Sequence, residues 1–74
     1  MMALESNEKE QLKEFGDNLR RLRKDKGLSM ETLANLADIE LSQIYRIETG
    51  KINPKLTTVL KVAKALEVTP KELF

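Results

Sequence analysis

The segment LANLADIELSQIYRIETGK, residues 33–51, decides how this chain folds. Its apolar residues recur at helical spacing on both sides of a break at residues 37–39, which predicts two short helices joined by a tight turn. Two helices that cross steeply need a small side chain at the crossing, and Ala34 supplies it. The other residues expected inside this corner are Leu33, Ala37, Ile39, Ile44 and Ile47. This spacing is the interior pattern of a helix-turn-helix.

The second helix of the pair has a face that the core does not use. With Ile44 and Ile47 directed inward, the helical period turns the other side chains of this helix outward. The outward residues are Leu41, Ser42, Tyr45 and Arg46. A leucine, a tyrosine and an arginine on the exposed face of one short helix indicate a surface that contacts a partner.

The residues before this segment predict one longer helix. Its apolar face is formed by Leu12, Phe15, Leu19 and Leu22. Gly27 stands where a glycine commonly ends a helix, and Ser29 is placed to cap the next one. In that next helix we expect Leu36 to be buried together with Leu33.

The residues after this segment predict two further helices. A fourth helix begins at Thr57, with an inner face expected to consist of Leu60, Ala63 and Leu66. Thr69 and Pro70 then have the residue types of an N-cap and a first helical position, which begin a short final turn. The fold class is therefore all-α with five helices.

The composition restricts the chemistry available to this chain. Its 74 residues form one domain without cysteine or histidine. Disulfide frameworks, thiolate zinc sites, cysteine nucleophiles and imidazole acid–base catalysis are excluded. No apolar run approaches the roughly 20 residues that a membrane-spanning helix needs. We expect a cytoplasmic chain in which residues 1–8 are a disordered extension and residues 9–74 are the domain, with no enzymatic activity, cofactor, metal or small-molecule ligand.

Two clusters of basic residues flank the segment 33–51, although the net charge is only +1. One lies within residues 20–26 and the other within residues 51–64. Most such clusters are solvated helix faces, but they also provide the charge that phosphate binding requires. The charge pattern alone leaves both interpretations open.

Residues 16–74 resemble the lambda-repressor-like, Cro-type helix-turn-helix family, also called the xenobiotic response element family. The resemblance rests on GDNLRRLRKDKGLS, the helix pair of residues 31–48, ETGKINP and KVAKALEVTPKELF, in this order. It implies a compact five-helix domain in which helices 2 and 3 form the helix-turn-helix. It also implies a sequence-specific transcriptional regulator, a small bacterial or phage-type repressor or controller, that binds double-stranded DNA as a homodimer.

The resemblance assigns roles to individual residues. In this family the second helix of the pair enters the major groove and the first crosses the backbone. The implied DNA-binding residues are Met30, Glu40, Leu41, Ser42, Tyr45, Arg46, Lys51, Asn53 and Lys55. Arg46 is expected to bind guanine or to clamp a phosphate. For Leu41, contact with a thymine methyl group, with a core edge or with a second copy of the chain all stay open.

Arg23 and Glu48 match a pair that forms a salt bridge between the first and third helices in this family. The resemblance therefore makes these charges architectural, with Arg23 holding the recognition helix in place.

Three residues depart from the family pattern. Met30 stands where glutamine often contacts phosphate or DNA, and Asp38 replaces the usual glycine of the turn. Glu40 is acidic where serine or threonine is common, so that it either lowers affinity for DNA or accepts a hydrogen bond from a cytosine amino group.

The carboxyl-terminal apolar residues have two possible uses. Val68, Leu73 and Phe74 either close the core or form the two-fold contact of a homodimer. The alternative function for the whole chain is a protein-interaction or antitoxin-type module on the same scaffold, which the exposed Leu41, Glu40 and Met30 would suit.

Overall fold

Four α-helices and one short 3-10 helix make up the chain in the computed structural model, which describes the backbone of residues 4–74 and the side chains of residues 7–74. The elements are α1 (Leu4–Asp25), α2 (Met30–Ala37), α3 (Leu41–Glu48), α4 (Leu56–Leu66) and the 3-10 helix (Pro70–Leu73). No strand occurs among residues 4–74. The all-α, helix-turn-helix prediction is confirmed, with α2 and α3 as its two helices.

The predicted count of five α-helices is wrong, because the last element is a 3-10 helix. The Glu72 N–H donates to the Thr69 carbonyl at 3.0 Å and the Phe74 N–H donates to the Lys71 carbonyl at 3.1 Å, so each bond spans three residues. A segment of four residues is too short to form the series of backbone hydrogen bonds that stabilises an α-helix.

The amino-terminal boundary also differs from the expectation. Helix α1 begins at Leu4, so residues 4–8 are helical where a disordered extension is predicted. Residues 1–3 lie outside the described part of the chain. None of the helices within residues 4–74 combines the length and apolar character needed to cross a membrane.

The core is formed where α1, α2, α3 and α4 meet. Its buried apolar residues are Phe15, Leu19, Leu33, Ala34, Ala37, Ile44, Ile47, Val59, Val62, Ala63, Leu66 and Leu73. Two residues predicted to be buried, Leu36 and Leu60, are instead 59% and 44% exposed, whereas Leu22 and Ile39, also expected inside, are partly buried against this core. Helix α4 is rotated relative to the expectation, so that Val59 and Val62 face the core instead of Leu60.

The carboxyl terminus closes one end of the core. Leu73 is fully buried, which settles its role as core closure, whereas Phe74 is 77% exposed and lies 5.1 Å from the Phe15 ring centroid. The Asn18 Nδ2 group donates to the Leu73 carbonyl at 3.3 Å and so ties this end of the chain to α1.

A capping interaction begins the 3-10 helix. The Thr69 backbone N–H donates to the Glu72 carboxylate at 2.9 Å, and this bond lowers the pKa of Glu72 below its ordinary value. Because the pKa is lowered in the folded chain, the contribution of this bond is present at pH values above the ordinary carboxyl range and is lost as the pH falls through the lowered pKa.

Candidate nucleic-acid interface

The turn between α2 and α3 sets the direction in which α3 leaves the core. Asp38 ends α2 in the left-handed region, with φ 59° and ψ 47°, where the usual glycine is absent. The Ile39 N–H donates to the Ala34 carbonyl at 3.0 Å, which closes the turn. Ala34 is only 3% exposed, as expected for the small residue at the helix crossing, while Ile39 is half-buried.

Helix α3 has sharply different inner and outer sides. Ile44, Ile47 and Glu48 are buried on the inner side. Leu41 is 47% exposed and Tyr45 is 50% exposed, both on the outer side. Ser42 and Arg46 are also exposed there, so all four residues predicted to face outward do so.

A buried ion pair fastens the inner side of α3 to α1. The Arg23 Nε group lies 2.6 Å from Glu48 Oε2, and Arg23 Nη2 lies 3.0 Å from Glu48 Oε1. A third bond, from Arg23 Nη1 to the Leu28 carbonyl at 2.8 Å, uses the remaining side of the guanidinium group. Both side chains are buried, and the burial of either charge alone would cost a large desolvation free energy. The bidentate hydrogen bonds of the pair offset this cost. The predicted Arg23–Glu48 salt bridge is present.

Gly16 is a positioning residue that the sequence interpretation missed. A Cβ atom at Gly16 would lie 2.3 Å from the Ile47 carbonyl oxygen and 2.6 Å from that of Glu48. The backbones of α1 and α3 therefore touch at this point, and only glycine permits the contact. The available signal was a glycine inside an otherwise helical apolar pattern, which often has a packing reason.

The loop after α3 places a second set of polar side chains beside the helix. Gly50 adopts φ 72° and packs against the backbone of Lys13. The Lys51 N–H then donates to the Arg46 carbonyl at 2.8 Å, which holds the loop to the end of α3. The predicted backbone-binding residues Lys51, Asn53 and Lys55 are all exposed.

Two other predicted contact residues lie at helix starts. Met30 is half-buried and packs against the core, so only part of its side chain is available to a partner. Glu40 is the exposed N-cap residue of α3, and its side chain makes no capping hydrogen bond.

The outer side of α3 and the following loop have the character of a nucleic-acid-binding surface. Within residues 7–74, the side chains of Arg46 and Lys51 make no hydrogen bond or ion pair, so their donors remain free for a partner. An α-helix fits the major groove of DNA, which is about 12 Å wide. The fold and this surface together define a DNA-binding helix-turn-helix domain.

Comparisons with known proteins agree with this class. The helix-turn-helix family profile matches residues 19–73. The control protein C.MunI of a Mycoplasma species is 39% identical over 61 residues, which cover 81% of this chain and 82% of that protein. The transcriptional repressor RghR of Bacillus subtilis is 38% identical over 58 residues, which cover 77% of this chain but only 43% of RghR.

A solved structure shows the same architecture. The restriction-modification controller protein C.AhdI from Aeromonas hydrophila superposes with a TM-score of 0.85 at 47% identity, covering 86% of this chain and 97% of that one. The chain belongs to the helix-turn-helix family. Its class is that of a small DNA-binding transcriptional regulator.

Proposed function

We propose that this regulator recognises a specific double-stranded DNA sequence by inserting α3, residues 41–48, into the major groove. The observation that carries the proposal is the two-sided character of α3. Its inner side is held by the core, by the Arg23–Glu48 ion pair and by the contact at Gly16. Its outer side presents Ser42, Tyr45 and Arg46 to solvent, so the helix can meet a duplex without any rearrangement of the core.

The chemistry of the exposed residues divides them into two roles. Arg46 can donate two hydrogen bonds to O6 and N7 of guanine, whereas Leu41 and Tyr45 offer apolar surface to thymine methyl groups. Lys51 and Asn53 follow α3 in the loop, and Lys55 precedes α4. These three provide donors for phosphate oxygens, which position the domain without reading sequence. Met30 contributes a minor contact at most, because its side chain is half-buried.

Selection from a random duplex library tests this proposal. We expect enrichment of one short sequence motif, bound with an affinity that falls steeply as salt is raised, because cationic side chains displace counterions from phosphates. If no motif is enriched after several rounds of selection, and the chain does not bind mixed duplex DNA at low salt, DNA recognition is excluded. That outcome would favour the alternative function, a protein-interaction module on the same scaffold.

We propose further that the active form is a homodimer. One helix of eight residues reads only a few base pairs, whereas two copies about 34 Å apart reach successive major grooves on one face of the duplex. The surface suited to this contact consists of Leu56, Leu60 and Phe74, which are 69%, 44% and 77% exposed. Leu56 and Leu60 are one helical turn apart, and Leu56 and Phe74 line the same open groove. A second copy would remove this apolar patch from water.

Sedimentation equilibrium tests the dimer and its surface. We expect Leu60→Glu to shift the chain from dimer to monomer, since it places a charge in the apolar contact. Leu36→Glu is the matched control, because Leu36 is also an exposed leucine, 59% exposed, but belongs to a different helix, α2. If both variants sediment like the unmodified chain, the patch is not the contact surface.

The narrower class that we propose is that of a cytoplasmic controller protein like those of restriction-modification systems. C.MunI and C.AhdI are each matched over more than four-fifths of their own length, whereas less than half of RghR is matched. A reporter gene placed behind the selected DNA site tests this class. Transcription that does not respond to the protein would contradict it.

A further inference from the structure

We infer that Glu40 determines specificity at one base pair of the target site, where its carboxylate accepts a hydrogen bond from the N4 amino group of cytosine. The inference rests on the proposed insertion of α3 into the major groove and goes beyond it by naming the base that this residue selects. Glu40 immediately precedes Leu41, at the end of α3 from which a helix of this kind reads base edges.

In the described part of the chain, the Glu40 side chain forms neither a capping hydrogen bond nor an ion pair. At the start of α2, the Ser29 hydroxyl accepts the Thr32 N–H at 3.0 Å and so caps that helix. At the start of α3, Glu40 has the extended backbone of an N-cap residue, with φ −71° and ψ 142°, but its carboxylate accepts no capping bond. It also forms no ion pair within residues 7–74. The exposed carboxylate therefore has no partner among the side chains of residues 7–74.

In the free domain, the amino-terminal end of α3 favours a negative charge, but a bound duplex makes this charge unfavourable unless a base donates a hydrogen bond to it. Lys55 and Lys61 line the same groove as Glu40, but neither forms a salt bridge with it. A duplex brought against α3 places phosphates near the carboxylate and repels it. A base that donates a hydrogen bond offsets this repulsion, whereas a base that offers only acceptors adds to it.

The donor pattern of the major groove selects cytosine. Guanine presents the acceptors N7 and O6, and thymine presents the acceptor O4, so both oppose a carboxylate. Adenine presents an N6 donor beside an N7 acceptor, so one carboxylate oxygen is satisfied while the other is repelled. Cytosine itself presents only its N4 donor, with O6 of the paired guanine as an acceptor on one side, whereas adenine N6 lies between N7 and the thymine O4; cytosine is therefore the favoured partner of Glu40.

Parallel selections with the intact chain and with Glu40→Gln test this inference. For the intact chain we expect cytosine to be enriched at one position of each half-site, by roughly tenfold over the other bases. A glutamine amide both donates and accepts, which suits N6 and N7 of adenine. We therefore expect Glu40→Gln to change the preferred base at that position from cytosine to adenine and to leave the rest of the motif unchanged.

Glu31→Gln is the matched control, because Glu31 is an exposed carboxylate that lines the same groove but belongs to α2. It removes the same charge and should leave the base preferences unchanged. If both variants bind every sequence more tightly by the same factor and retain the original motif, Glu40 acts only through general repulsion and the inference is overturned. An intact chain that enriches no motif at all would instead overturn the proposed function, and this inference with it.

Discussion

The inner and the outer side of α3 each carry a charged side chain, but one of these side chains is buried and the other is exposed. On the inner side, Glu48 is 3% exposed and holds Arg23 through two hydrogen bonds. On the outer side, Arg46 is exposed and has no side-chain partner within residues 7–74. A charged residue on this helix is therefore architectural or available for recognition according to which side it occupies.

The contrast separates stability from recognition. Removal of an inner contact should unfold the domain or move α3, because that contact joins α3 to α1. Removal of an outer side chain should leave the fold intact and change only what the helix binds. Four predictions test this separation, beginning with the largest expected effect.

Glu48→Ala should have the largest effect, with a loss of about 3–5 kcal/mol in the free energy of unfolding. The reason is that Arg23 would remain buried without its partner. Urea denaturation measures this loss, and thermal melting replaces it if the variant is too unstable for a native baseline.

Two controls show whether burial is the cause. Asp17→Ala breaks the exposed Lys13–Asp17 pair, whose atoms are 3.2 Å apart, and should cost less than about 1 kcal/mol. The double variant Arg23→Met, Glu48→Leu removes both buried charges and should be more stable than Glu48→Ala alone. Equal losses for Asp17→Ala and Glu48→Ala would show that the buried pair has no special role.

Gly16→Ala should cost about 1–3 kcal/mol, because the new methyl group would overlap the Ile47 and Glu48 carbonyl oxygens. In an open helix the same change would stabilise the chain by up to about 1 kcal/mol. The sign of the change, measured by urea denaturation, therefore reports whether α1 and α3 touch at Gly16. A stabilised variant would mean that they do not.

Arg46→Ala should leave the free energy of unfolding within about 0.5 kcal/mol of its original value. Its affinity for the selected site should fall about tenfold or more, and the preference at one base position should weaken. Lys51→Ala should instead weaken binding to all sequences alike and reduce its salt dependence. Titrations with the selected site and with an unrelated duplex measure both effects. Identical behaviour of the two variants would contradict the division between base and phosphate contacts.

The smallest effect is expected at the two non-glycine residues with positive φ. Asp38 and Glu67 both have φ 59°, which favours glycine. Glu67→Gly should raise the free energy of unfolding by about 0.5–1 kcal/mol, and Asp38→Gly by less, since aspartate tolerates this conformation better than most residues. Thermal melting measures both. Because glycine can adopt the same backbone conformation, α3 should keep its direction and DNA affinity should stay the same. A large change in affinity would show that the substitution shifts the turn and α3 with it.

The helix-turn-helix was predictable from sequence because the spacing of its small and apolar residues is compatible with few other arrangements of two helices. Ala34 at the crossing and Ile44 and Ile47 beneath α3 are buried as the pattern indicates. The outward direction of Tyr45 and Arg46 follows from the same helical period. The contacts that these side chains make with DNA stay predictions.

Other features could not be predicted from the spacing of apolar residues along the sequence. In α4, a hydrophobic pattern does not distinguish leucine from valine. Packing against α2 and the 3-10 helix decides that Val59 and Val62 face inward while Leu60 faces solvent. The importance of Gly16 depends on the distance between two backbones, which a sequence does not state. The last turn becomes a 3-10 helix because four residues form too few α-helical bonds to sustain one.

The two ends of α3 are tied down to very different degrees. At its carboxyl end, Glu48 is buried and the Thr49 hydroxyl donates to the Tyr45 carbonyl at 2.8 Å. At its amino end, the first helical hydrogen bond is from the Gln43 N–H to the Glu40 carbonyl at 3.0 Å, so the N–H groups of Leu41 and Ser42 have no helical acceptor. Amide hydrogen exchange should therefore be fast in the amino-terminal turn of α3, which we call its tip, and slow at its carboxyl end. A bound duplex would protect the tip most, and small adjustments to different operator sequences would be concentrated in that first turn.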